Sequence, residues 1–184
     1  GVSGRAPLPG ERSILLGSIL SHVTLFDFRD ASVTMNDQRE IAVLMVCMGN
    51  ICRSPTAHGV LRHRLAEAAL LDRIRVESAG THGYHVGAEP DRRARNAARD
   101  RGYEFDDLRA RQVEAADFER FDYLLAMDRD NLAMLERLGS GGGGRAEIAL
   151  FLDYSPDLAG CEVPDPYYGA MNGFEEVLYL VEAG

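Results

Sequence analysis

The chain of 184 residues contains no lysine; all twenty of its basic residues are arginine. Chemistry that needs an ammonium group is thereby excluded, including the Walker P-loop, Schiff-base catalysis and a lysine general base. Cysteine is scarce. Cys47, Cys52 and Cys161 are too few and too unevenly spaced for a disulfide framework, and no close CxxC pair offers a zinc knuckle. A reducing, cytoplasmic setting is therefore expected. Long apolar runs are also missing, since none approaches the ~18 residues of a membrane span. The nearest, Ile14 to Phe28, is broken by Gly17, Ser18, Ser21, His22 and Asp27 and is followed by no Ala-x-Ala site, which argues against a secretory signal. Nor is there an excess of positive charge. A net charge of −9 and a pI near 5.0 weigh against nucleic acid or an anionic membrane as partner, because both are themselves negative.

What is present suits one globular domain, with 46% apolar and 27% charged residues. Residues 1–34 stand apart, with small residues and proline from Gly1 to Pro9 and a mixed apolar run after them. They read as a poorly ordered extension or an expression-derived segment ahead of a domain over 35–184, with Met35 as a natural start. From Ile41 the pattern is regular. Ile41 to Val46 is a continuous apolar run, as in a parallel strand covered on both faces. Ser54-Pro55 then signals a helix, serine as N-cap and proline at the first helical position, and Ala57, Val60, Leu61 and Leu65 recur on one face. A more alternating strand is expected over Arg73–Ala79, a helix over Asp91–Arg101, strands over Asp122–Met127 and Ala146–Leu152, and helices over Arg129–Leu138 and from Gly173 onward. This alternation gives an α/β class. The five arginines of the second helix share it with a stripe of Ala94, Ala97 and Ala98, so they read as a solvated face rather than a docking patch. The run Gly139 to Gly144 reads as a flexible connector.

The chemistry concentrates in Cys47-Met48-Gly49-Asn50-Ile51-Cys52-Arg53-Ser54, at a strand end, a short loop and a helix start, where open α/β sheets bind ligands. Five residues between Cys47 and Arg53 let the loop curl with its N–H groups inward, forming a nest for a phosphate dianion. Gly49 and Asn50 suit such a curl because both tolerate left-handed dihedrals. Arg53 returns beside the ligand, where its planar fork can hold two phosphate oxygens. The same dipoles favour a thiolate at Cys47. Ser54 has two candidate tasks, donating to that sulfur or capping the helix. Cleaving a phosphate ester also needs an acid for the leaving group. Asp165, in Val163-Pro164-Asp165-Pro166-Tyr167-Tyr168-Gly169, is the candidate, held extended by prolines on a loop expected at the same rim of the sheet.

With both elements in this order, the sequence from Glu40 onward resembles the low-molecular-weight protein tyrosine phosphatases of bacterial type. Val-Cys-Met-Gly-Asn-Ile-Cys-Arg-Ser-Pro at 46–55 and Asp-Pro-Tyr-Tyr-Gly at 165–169 carry the resemblance, supported by Glu77-Ser78-Ala79-Gly80-Thr81, Arg111-Gln112, Phe121-Asp122-Tyr123 and Met127-Asp128. It implies a four-stranded parallel sheet in flavodoxin-like order, no metal or cofactor, and a phosphocysteine intermediate. By matching position, Cys47 is the nucleophile, Arg53 the phosphate clamp, Ser54 the thiolate partner, and Asp165 the general acid and then base. Met48 to Cys52 complete the phosphate loop, Asn50 braces it through Ser78, and Tyr84, Tyr167 and Tyr168 wall the substrate cleft. Cys52 matches the second cysteine that traps an oxidised nucleophile as a disulfide.

Two departures stand out. Leu108 and Arg109 occupy the place where many members carry a loop-supporting histidine, and the last helix stops at Gly184, earlier than is usual. Arsenate reductases of the same fold need relay cysteines in mid-chain, whereas 53–160 has none. Protein-arginine phosphatases typically have threonine where Ile51 stands, and an apolar residue there suits an aromatic substrate better. A phosphopeptide-binding module without activity would be expected to lose Cys47 or Asp165. His82 and His85, the only close histidine pair, lack a partnering cysteine or carboxylate cluster and read as loop residues. The expected partners are tyrosine-phosphorylated proteins, an autophosphorylating bacterial kinase of polysaccharide export among them, with the enzyme a monomer or weak homodimer.

Overall fold

A computed structural model describes residues 39–141, 144–167 and 172–184. The N-terminal segment 1–34 and Tyr168 lie outside the described residues. Four strands, β1 (Ile41–Cys47), β2 (Ile74–Gly80), β3 (Tyr123–Ala126) and β4 (Glu147–Leu150), form one parallel sheet in the order β2-β1-β3-β4. The helices are α1 (Arg53–Glu67), α2 (Arg92–Asp100), the single turn α3 (Asp117–Arg120), α4 (Arg129–Gly139) and α5 (Gly173–Ala183). The expected four-stranded α/β architecture is present.

The period of two along β1 divides the interior. Val43, Met45 and Cys47 join the core under α1, α2 and α5, which contributes Phe174, Val177, Leu178 and Val181. Ala42, Leu44 and Val46 face the opposite way, toward Phe118, Phe121 and Leu135. A strand buried on both faces needs no polar alternation, which accounts for the continuous apolar run. β1 continues toward β2 on one side and β3 lies on the other, so the switch point of the sheet falls between β1 and β3. Cys47 ends β1 at that crevice.

Two boundaries differ from expectation by two residues. The strand predicted over Ala146–Leu152 ends at Leu150, and Phe151–Tyr154 form a 3-10 turn. Phe151 and Leu152 both enter the same core, which an extended strand would not allow, because consecutive side chains would point to opposite faces. Helix α1 begins at Arg53, two residues before the predicted start. Cys52 is its N-cap and Ser54 makes no cap; Pro55 still lies in the first turn, where a missing N–H costs nothing.

Candidate active site

The loop from Met48 to Cys52 is held from three sides. From the end of β2, the N–H of Thr81 donates to the Cys47 carbonyl at 2.8 Å and that of His82 to the Met48 carbonyl at 2.9 Å. From the cap of α2, the N–H of Asp91 donates to the Ile51 carbonyl at 2.7 Å. From within α1, the Thr56 hydroxyl donates to the Cys52 carbonyl at 2.8 Å. The Met48, Ile51 and Cys52 carbonyls are thus engaged by neighbouring segments, while most of the loop amides are not. The Asn50 N–H donates to Cys47 Sγ at 3.3 Å, while those of Gly49, Ile51 and Cys52 have no protein acceptor among the described residues. Such a row of free N–H groups is an anion nest.

Asn50 takes the left-handed backbone, at φ 55°. Gly49 does not. Its requirement is space, since a Cβ there would lie 2.9 Å from Cδ2 of the His85 ring. Gly80 is needed for the same kind of reason, because its Cβ would stand 2.7 Å from the Met48 carbonyl oxygen. Buried Asn50 donates from Nδ2 to Ser54 Oγ at 2.9 Å and accepts the Arg111 N–H on Oδ1, also at 2.9 Å. The proposed brace through Ser78 is therefore corrected. Ser78 Oγ lies 3.4 Å from His58 Nδ1 instead, and the Arg111 backbone supports the loop while Leu108 packs on the core.

Ser54 Oγ lies 3.0 Å from Cys47 Sγ and 3.2 Å from the Ala79 carbonyl oxygen. Because Asn50 donates to that oxygen, its own hydrogen is left for the sulfur or the carbonyl, and the helix end receives nothing from it. The Arg53 side chain is 2% exposed. Nη1 donates to Asp128 Oδ2 and, at 3.1 Å, to the Val163 carbonyl; Nη2 donates to Asp165 Oδ2 at 2.8 Å. Nε is buried without a partner, leaving an N–H for a ligand oxygen. Burial opposes the guanidinium charge, but Cys47, Asp128 and Asp165 outweigh it and hold Arg53 above its ordinary range. Burial also pushes the Cys52 thiol up, with Asp91, Cys47 and Asp165 adding to the effect, so Cys52 stays protonated.

Cys47, Arg53, Ser54 and Asp165 thus meet at one crevice. A family model described as low molecular weight phosphotyrosine protein phosphatase matches residues 42–184. The chain belongs to that family. A putative low molecular weight protein-tyrosine-phosphatase of Synechocystis is 43% identical over 140 residues, 76% of this chain and 88% of the relative. Among solved structures, YfkJ from Bacillus subtilis is 40% identical with a TM-score of 0.72, covering 78% of this chain and 89% of its own. A Drosophila protein described as an arginine phosphatase is 32% identical with a TM-score of 0.71, covering 77% and 90%.

Asp128, which carries no role in the sequence reading, caps α4 by accepting the Asn131 N–H at 2.7 Å and pairs with Arg53 through its other oxygen. A signal was available, because Asp128 follows β3 directly, at the crevice where Cys47 follows β1. The predicted cleft walls are more open. Tyr84 is 73% exposed and stacks on His82 at 5.1 Å, and Tyr167 is 38% exposed with its N–H donating to Asp165 Oδ1 at 3.0 Å. Among the described residues, no group of three His, Cys, Asp or Glu side chains could hold a metal, and no helix is long and apolar enough to cross a membrane.

Proposed function

We propose that the protein hydrolyses phosphotyrosine in proteins through a phosphocysteine intermediate, without a metal. The observation that carries this reading is the convergence of Cys47 Sγ, the Ser54 hydroxyl, the unpaired Arg53 Nε and the free loop amides at the end of β1. The nest and Arg53 take the three non-bridging phosphate oxygens and neutralise their charge. This anion displaces Asp165 from Arg53 Nη2, and the released carboxylate takes up a proton from solvent. The Cys47 thiolate attacks phosphorus in line, the bond to the tyrosyl oxygen breaks, and Asp165 gives that oxygen a proton. Asp165, now a carboxylate, takes a proton from water; the water oxygen attacks phosphorus, the P–S bond breaks, and phosphate leaves with the thiolate restored. Ser54 stabilises the sulfur as leaving group. Tyr84 and Tyr167 flank the aromatic ring of the substrate.

Four finer readings extend this one. Peroxide converts Cys47 to a sulfenic acid, and the Cys52 sulfur displaces water from it to form a reversible disulfide. The buried, unpaired cysteines suit the reducing cytoplasm. The physiological partner is a tyrosine-phosphorylated protein such as a bacterial tyrosine kinase of polysaccharide export, and the enzyme works as a monomer or weak homodimer.

The test is hydrolysis of a phosphotyrosine peptide beside a phosphoarginine peptide, with and without chelator. Turnover of the tyrosine peptide unaffected by chelator, and absent in Cys47→Ser, is expected. Preference for phosphoarginine, which the Drosophila relative makes the natural rival, would overturn the substrate. Full activity in Cys47→Ser would overturn the chemistry.

A further inference from the structure

Arg93 has a place in the geometry that the reaction has not used. It lies in the first turn of α2, two residues beyond Asp91, and its side chain is about half exposed. Asp91 fixes it by a fork. Nε donates to Asp91 Oδ1 at 3.1 Å and Nη2 to Oδ2 at 2.8 Å, while Oδ1 also accepts the Arg93 backbone N–H at 2.7 Å as the helix cap. Asp91 is tied in turn to the phosphate loop through its N–H to the Ile51 carbonyl. The guanidinium is therefore held in one orientation relative to the phosphate loop.

Two rings meet that guanidinium. Its carbon stands 4.7 Å from the centroid of Phe174, which is buried at the start of α5, and 5.4 Å from the centroid of exposed Tyr167. Both lie within the ~6 Å reach of a cation–π contact. Nη1 also donates to the Tyr167 carbonyl at 3.4 Å. Phe174 belongs to the core, so its ring is fixed. Tyr167 is the exposed ring of the two.

We propose that Arg93 is a positioning residue for substrate selection, presenting Tyr167 as an aromatic wall at a set distance from the phosphate loop. The inference rests on the phosphatase reading above and adds to it where the selection for an aryl group comes from. Arg93 touches neither the phosphate nor the reacting atoms, so its contribution falls on the organic part of the ester. A cation–π contact at an exposed site corresponds to about a two- to fivefold change in binding.

The experiment measures Arg93→Ala with p-nitrophenyl phosphate, whose leaving group needs little help from Asp165, and with inorganic phosphate as competitive inhibitor. The expected result is a KM raised about two- to fivefold, with kcat, the phosphate Ki and the melting temperature unchanged. Tyr167→Ala should raise KM similarly, and the double variant should be no worse than either single one, because both remove the same wall. An unchanged KM in Arg93→Ala, a phosphate Ki rising in step with KM, or multiplicative losses in the double variant would each overturn the inference. Absence of any aryl phosphatase activity in the wild type would instead overturn the reading it rests on.

Discussion

The floor and the rim of the crevice are built on opposite plans. On the floor, Asn50, Arg53 and Ser54 are 2%, 1% and 0% exposed, and each makes a side-chain hydrogen bond to protein. On the rim, Tyr84 and Tyr167 are 73% and 38% exposed. A phosphate dianion is the same in every substrate, so its cradle can be rigid and set into the sheet; the group that carries it varies, and its contacts sit on exposed loops that tolerate change. Floor variants should therefore alter chemistry or stability, and rim variants only the selection of substrate.

Asp165 straddles the two regions, 42% exposed at the side chain yet bonded to Arg53, and it gives the largest effect that separates them. Asp165→Asn should slow hydrolysis of phenyl phosphate by about 10²- to 10⁴-fold, because a phenolate leaving group of pKa ~10 needs a proton. The loss on p-nitrophenyl phosphate should be far smaller. Equal losses in steady-state assays of the two esters would make Asp165 a brace for Arg53, part of the floor, and not the acid.

Beneath the floor, buried His58 offers a smaller effect on stability. Burial lowers its pKa from 6.5 to about 4, and Arg62 acts in the same direction while Asp107 and Glu77 oppose it. Its neutral ring contributes stability that is complete above pH 6.5, declines as the pH falls and is gone below about 4, a difference of about 3 kcal/mol at most. Urea unfolding of wild type and His58→Gln across that window should show a steeper acid loss in the wild type, since the carboxylates are common to both. Parallel curves would mean that the buried side tolerates the charge.

What could be read in the sequence divides along the same line. The strand leading to Cys47, the anion nest and the pairing of this loop with Asp165 were legible because each depends on local spacing: an apolar run, five residues of loop, and prolines around an acid. Contacts between distant segments were not. Ser54 reads both as a helix cap and as a partner of the Cys47 sulfur; only the second is present, and the bond from Asn50 Nδ2 to its hydroxyl is the part that the spacing does not announce. Gly49 reads as a left-handed position, whereas what a side chain there would meet is the ring of His85, thirty-six residues away. The Arg111 backbone replaced Ser78 as the support of Asn50, since the segment carrying it runs beside Gly80 in a bridge that no spacing announces.

The smallest effect is expected at Tyr84, and it sharpens the comparison most directly. Its ring stacks on His82, whose Nδ1 lies 2.9 Å from the Thr81 hydroxyl, and the N–H of His82 is bonded to the Met48 carbonyl. The rim at this point is therefore built on the floor without being part of it. Removing so exposed a ring deletes no buried contact, so Tyr84→Ala should change stability by less than about 0.5 kcal/mol. Losing one aromatic face against the substrate should raise KM for aryl phosphates by about two- to tenfold, the range of a single aromatic pair. Values of kcat and the phosphate Ki should stay at the wild-type level, and Tyr84→Phe should restore KM. A fall in kcat with Tyr84→Ala would mean instead that the His82 stack transmits to Met48 and the phosphate loop, and the boundary between the two regions would then lie one residue layer further out.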